Sequence, residues 1–202
     1  TAAELSQIGG ATTGTVTVTN AVAIRGNHNQ LTAALVTAGT KVEVSAATVT
    51  VSDPDDTAIT ASELSAFGGA TTGTVTVTNA VAITGDHDQL TAALVTAGTK
   101  VEVSNATVTV NDVDTTAITA AELSAIGGST TGQVTVTNAV AITGDHDQVT
   151  AALVTDGTKV VVSDAAVTIN DGDGTAITAT ELSAIGGSTT GTVTVTNAIN
   201  IT

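Results

Sequence analysis

The residues most able to do chemistry in this chain are its aspartates. Thirteen of the nineteen acidic residues are Asp, and ten of those form D-x-D pairs. One set is Asp53/Asp55, Asp112/Asp114 and Asp171/Asp173, at a spacing of 59 residues. Another is Asp86/Asp88 and Asp145/Asp147, with Asn27 and Asn29 in the equivalent places upstream. Closely spaced carboxylates repel unless a cation lies between them, and calcium is the hard ion that suits oxygen ligands. In the Asp86 set the first Asp is already explained as a helix N-cap. In the Asp112 set the next N-cap is Thr119, five residues past Asp114, so capping leaves that set unexplained. Asp53, Asp55, Asp112, Asp114, Asp171 and Asp173 are therefore the candidate calcium ligands, against a solvated Asp turn.

Other chemistry is sparse. His28, His87 and His146 recur singly, with no second His and no Cys near them, which makes a poor transition-metal site. They read as solvent-exposed residues in a first helical turn. The chain has no Cys, Met, Trp or Tyr, and Phe67 is its only aromatic residue. No Ser/His/Asp set is unique, since every component recurs along the chain. The expectation is a protein that is not an enzyme.

The elements that must position these residues follow from the repeat. Glu4, Glu63, Glu122 and Glu181 mark a 59-residue period, as do Lys41, Lys100 and Lys159 and Asn20, Asn79, Asn138 and Asn197. The repeats are 1–59, 60–118, 119–177 and a partial 178–202, read as one continuous array. Glu63–Asp88 and Gln89–Asp114 align without gaps, so each repeat holds two coils, here a and b. Coil b adds Thr115–Ala121 before the next Glu.

Thr60-Ala61-Ser62-Glu63 is a capping box, recurring at Thr1, Thr119 and Thr178. Asp86 with Gln89, Asn27 with Gln30 and Asp145 with Gln148 follow the same logic. Leu90, Ala93, Leu94 and Ala97 make one apolar face. Gly98 is expected to stop that helix and Gly68-Gly69 to stop the other. Thr74–Thr78 alternates Thr and Val, a strand with Val75 and Val77 inward. The aligned strand of coil b carries Val101 and Val103. Second strands follow at Val81–Thr84 and Thr107–Val110.

The fold class is a repeat solenoid: parallel stacked strands, short helices at the coil ends and about two coils per 59 residues. Equivalent strands are expected to stack at a spacing of about 4.8 Å, giving an axial advance of about 10 Å per repeat. Coil b presents Lys41, Glu43 and Ser45, repeated as Lys100, Glu102 and Ser104, beside the Thr15, Thr17 and Thr19 of coil a. This alternation interrupts a continuous Thr surface of the kind that binds ice, and Lys and Glu guard the sheet against adhesion.

Net charge is -15, from four basic against nineteen acidic residues. That opposes nucleic-acid binding and anionic membrane surfaces. No apolar run approaches the roughly 18 residues of a membrane span. The composition suits an extracellular, salty setting. The chain starts at a repeat boundary and stops within a strand pattern, which reads as a piece of a longer protein. Thr192–Thr202 carries no polar cap, so its open edges are expected to recruit copies of the chain.

The run ELSAIGGSTTGQVTVTNAVAITG (Glu122–Gly144), with its Asn-Ala corner and acidic coil end, resembles tandem repeats of very large cell-surface proteins of bacteria, notably marine cyanobacteria. The resemblance covers the whole chain. It implies a secreted surface rod or filament and supplies no functional residues. The function expected is a structural stalk, coat or filament segment. The alternatives are a calcium-binding adhesion module and, further off, an ice-binding solenoid.

Overall fold

The computed structural model describes every residue except Lys100 and Lys159. These residues form two compact bodies, Thr1–Thr84 with Asp88–Thr107, and Gly85–His87 with Val108–Thr202. Each element is assigned below to the body that holds most of it.

The first body contains α1 (Ala2–Gly10), β1 (Val16–Val18), β2 (Ala23–Gly26), α2 (His28–Leu35), β3 (Val42–Val44), β4 (Thr48–Val51), β5 (Ala58–Thr60), α3 (Ala61–Ala70), β6 (Val75–Val77), β7 (Ala82–Gly85), α4 (His87–Leu94) and β8 (Val101–Val103). The second contains β9 (Thr107–Val110), β10 (Ala117–Thr119), α5 (Ala120–Gly127), β11 (Val134–Val136), β12 (Ala141–Gly144), α6 (His146–Leu153), β13 (Val160–Val161), β14 (Ala166–Ile169), β15 (Ala176–Ile177), α7 (Ala179–Gly186), β16 (Val193–Val195) and β17 (Asn200–Ile201). This is an α/β repeat architecture, with parallel strands in stacked sheets and short helices between them.

The helices start where the capping boxes place them. Thr1, Thr60, Thr119 and Thr178 each accept the N3 amide, and the N3 Glu reaches back to the cap. Asn27 and Asp145 do the same with Gln30 and Gln148. The helix ends differ from expectation. α4 stops at Leu94, so Ala97 lies beyond it. Gly68 and Gly69 lie inside α3 rather than after it. Their role is closeness: a Cβ on Gly68 would fall 1.9 Å from the Thr99 carbonyl oxygen. The equivalent figure at Gly127 is 2.0 Å, from Thr158. The helix of coil a therefore packs against the backbone that leads into the first strand of coil b.

The strands pair in parallel with the register the coil alignment predicts. Val75 faces Val101 and Val77 faces Val103 where β6 meets β8. The inward row Ile24, Val49, Val75 and Val101 is about 1% exposed at each position. In the second body Ile118, Ile142 and Val167 form the same kind of row, at most 2% exposed.

The sheet order is not the predicted column of equivalent strands. In the first body one sheet runs β2-β4-β6-β8. Its members are two second strands followed by two first strands of the next repeat. In the second body one sheet runs β10-β12-β14-β16. It begins with a strand from the additional segment of coil b, to which the sequence reading assigns no element. β5, β10 and β15 are this third kind of strand, and they pair with second strands of the following coil. The additional strand shifts the path, so the next first strand lies on an earlier second strand. Combining the two bodies by equivalence gives a sheet of five places: additional, second a, second b, first a, first b.

Candidate functional site

The six candidate Asp residues fall at the turn after β4, β9 and β14, where coil b ends. There the chain needs acceptors, because helix N-termini carry unsatisfied amides. Asp53 Oδ2 accepts the backbone N–H of His28 at 2.7 Å, and the equivalent bonds to Asp112 and Asp171 are 2.8 Å. Each contact spans 25 residues. The first Asp of each pair thus caps the helix that opens its own coil b. The expectation that capping cannot explain Asp112 is corrected: the cap is tertiary, and no local spacing reveals it.

The same carboxylates hold the histidines. His28 Nδ1 lies 2.6 Å from Asp53 Oδ1, His87 Nδ1 lies 2.7 Å from Asp112 Oδ1, and His146 Nδ1 lies 2.6 Å from Asp171 Oδ1. The histidine side chains are 14–17% exposed and the Asp side chains 3–5%. The solvent-exposed histidine of the sequence reading is therefore a mostly buried partner in an ion-pair geometry. At His146 the Asp171 hydrogen bond raises the pKa above the ordinary 6.5. Burial opposes the rise, and the charges of Asp171, Asp147 and Glu181 add to it. Charge-assisted bonds of this kind are the strong ones.

The turn also reaches forward. The main-chain oxygens of Asp53, Asp112 and Asp171 accept from Asn79, Asn138 and Asn197 Nδ2 at 2.5–2.6 Å. The second Asp of each pair, Asp55, Asp114 or Asp173, accepts the next backbone N–H, from Ala80, Ala139 or Ala198, at 2.9–3.1 Å. The recurring Asn-Ala corner is thus the partner of the D-x-D turn. One clasp joins the helix of coil b, the end of that coil and the corner of the next repeat.

The turn carries backbone strain at one place. Asp56 has φ 60, Thr115 φ 64 and Gly174 φ 80, all at the same repeat position. Its N–H donates to Ala80, Ala139 and Ala198 oxygens in turn. Among the described residues no group of three or more His, Cys, Asp or Glu side chains is gathered as metal ligands would be. No helix among them is long and apolar enough to cross a membrane.

The outward sheet face differs from the alternation expected. Thr17 does face Glu43, and Thr76 faces Glu102. Yet Thr119, Thr143, Thr168 and Thr194 pair in one unbroken row. The strand order puts the acidic first strand of coil b at one sheet place in five. Lys100, placed beside Glu102 in the sequence reading, lies outside the described residues.

The searches against protein families, curated proteins and solved structures returned no match to this chain.

Proposed function

We propose that this chain is a structural segment: a solenoid array in a secreted stalk, coat or filament, with copies associating through open strand edges. The observation that carries this reading is the clasp. The residues most capable of chemistry are occupied in structural contacts: Asp and His tie parts of one repeat together, and Asn joins that Asp turn to the next repeat. Arrays gain stability in this way, from neighbour interfaces rather than from self-sufficient domains. The acidic, Thr-rich, Lys-poor composition suits an extracellular location. Electron microscopy of the native assembly tests the reading. It should reveal a thin rod advancing by more than about 10 Å per repeat, two strand spacings, because of the additional strand. Separate globular beads would overturn it.

Two alternatives keep separate tests. A calcium-binding adhesion module would use the same Asp turns, and calcium would then raise the melting temperature. An ice-binding surface would use the row Thr119, Thr143, Thr168 and Thr194, and the protein would then show thermal hysteresis.

A further inference from the structure

Neighbouring coils do not meet each other equally. Inside a repeat the contact is close. α1 packs along α2, and α5 along α6, far more extensively than α2 meets α3 or α6 meets α7. One position accounts for the difference. Where the helix of coil a meets the approach to coil b it carries Gly9, Gly68 or Gly127. A Cβ there would lie 1.9–2.1 Å from the carbonyl oxygen of Thr40, Thr99 or Thr158. The same threonines donate their hydroxyls to the helix of coil b, Thr158 to the Ala151 oxygen at 2.6 Å. The gapless half-repeat alignment puts Leu35, Leu94 and Leu153 at the equivalent place in coil b. All three are buried. A leucine holds its neighbour at side-chain distance, so the helix of the next repeat cannot come as near.

Between repeats, polar contacts gather at the Asp turn. In the second body the Val110 oxygen accepts both the backbone N–H and the hydroxyl of Thr137. Asn138 donates to the Asp112 oxygen at 2.6 Å, and the Ala139 N–H to Asp114 Oδ1 at 3.1 Å. Thr115 returns a bond from its N–H to the Ala139 oxygen at 2.8 Å. That Thr115 is the residue at φ 64. The strand just beyond it, β10, lies at the edge of its sheet and pairs with β12 of the next coil a. In sequence β10 follows coil b; in space it goes with the repeat ahead. The boundary between physical units therefore falls inside the Asp turn, before Ala117, and not at the capping box. The unit so defined in the second body is 117–175, which is again 59 residues.

We infer that each Asp turn is a latch and a hinge, so that an array under tension opens there and releases one whole repeat at a time. The latch is the set of bonds that Thr137, Asn138 and Ala139 make across the turn. The hinge is the positive-φ position, Thr115, with Asp56 and Gly174 as its equivalents. Opening at the turn exposes less packed helix surface than parting the two coils of a repeat, so tension finds the turn first. A repeat freed from its neighbour cannot bury its own face and unfolds. The activity this adds is extensibility: a load-bearing chain that lengthens in steps. It goes beyond the structural reading and stands on the seam contacts alone, so failure to find a filament would leave it intact.

The test pulls the full chain by its two ends in an optical trap. Contour length should be gained in steps of about 20 nm, from 59 residues at about 3.5 Å each. Steps of about 9–12 nm, the length of single coils, or one release of about 70 nm, the whole chain, would overturn the inference. Asn138→Ala removes part of the latch at one turn. It should lower the force of one step and leave the length of that step unchanged. Equal forces in parent and variant would overturn the latch, because independent beads also release 59 residues at a time and need no contact across the turn.

Discussion

At the scale of single residues, the two aspartates of each turn do unequal work. Asp171 is 7% exposed and accepts both the His146 N–H and its ring nitrogen. Asp173 is exposed and accepts one amide. Removing a buried acceptor costs about 1–3 kcal/mol, and more where charge is involved. Asp171→Ala should therefore destabilise by about 2–3 kcal/mol. Asp173→Ala should cost under about 1 kcal/mol, the range of an ordinary hydrogen bond. Chemical denaturation of the two variants checks the ranking. A shared calcium ion would instead make the two losses similar and dependent on chelator.

The pH dependence follows from the same groups. His146 is raised above 6.5, so its contribution is fully present below that value and is lost as pH rises through the folded pKa. Glu122 is held below its ordinary 4.5 by the Thr119 hydroxyl and then its amide, against burial, with the His87 charge helping. Glu181 is lowered by the Thr178 amide and hydroxyl. Their contributions are present above about 4.5 and are lost as pH falls through the lowered values. Stability should therefore peak between about pH 4.5 and 6.5 and decline on both sides. Melting temperatures from pH 3 to 9 would show the peak; a monotonic rise to pH 8 would contradict it. The sequence exposed the Asp and His periodicity plainly. It hid their pairing, because the partners lie 25 residues apart and belong to different elements.

At the scale of elements, two backbone positions carry the local cost. Thr115 adopts φ 64, a region that L-residues other than Gly, Asn and Asp seldom enter. Gly174 fills the same place in the next repeat. Thr115→Gly should stabilise the protein by up to about 1 kcal/mol, since the αL penalty of about 1–2 kcal/mol is offset by the entropy of Gly. Gly127→Ala should act oppositely, by about 1–3 kcal/mol or more, because the methyl meets the Thr158 backbone rather than a movable side chain. Thermal melts of both variants give the signs directly. Capping boxes and Thr-Val alternation made the helices and first strands legible. β5, β10 and β15 were not foreseen, because Ala-Ile-Thr is too short to show a period and pairs only with a distant strand. Gly68 looked like a stop signal and is instead a point of close approach, a distinction that local sequence cannot make.

At the scale of the whole molecule, the period was legible and the stacking order was not. Gapless alignment of the half-repeats implied that coils stack as equals. The additional strand breaks that equality, since it changes which strand lies above which. Its consequence is interdependence: one sheet draws on successive repeats, and each Asp turn is completed by the Asn-Ala corner of the next. A repeat so built contributes mainly through its neighbours. The most direct measurement is the thermal unfolding of arrays lengthened by one, two and three whole 59-residue repeats inserted after Ile118. The account predicts a single transition whose melting temperature climbs with repeat number and then levels off, as a nearest-neighbour array requires. A melting temperature independent of repeat number, with heat absorbed in proportion to length, would mean that the repeats fold as separate beads and would contradict it.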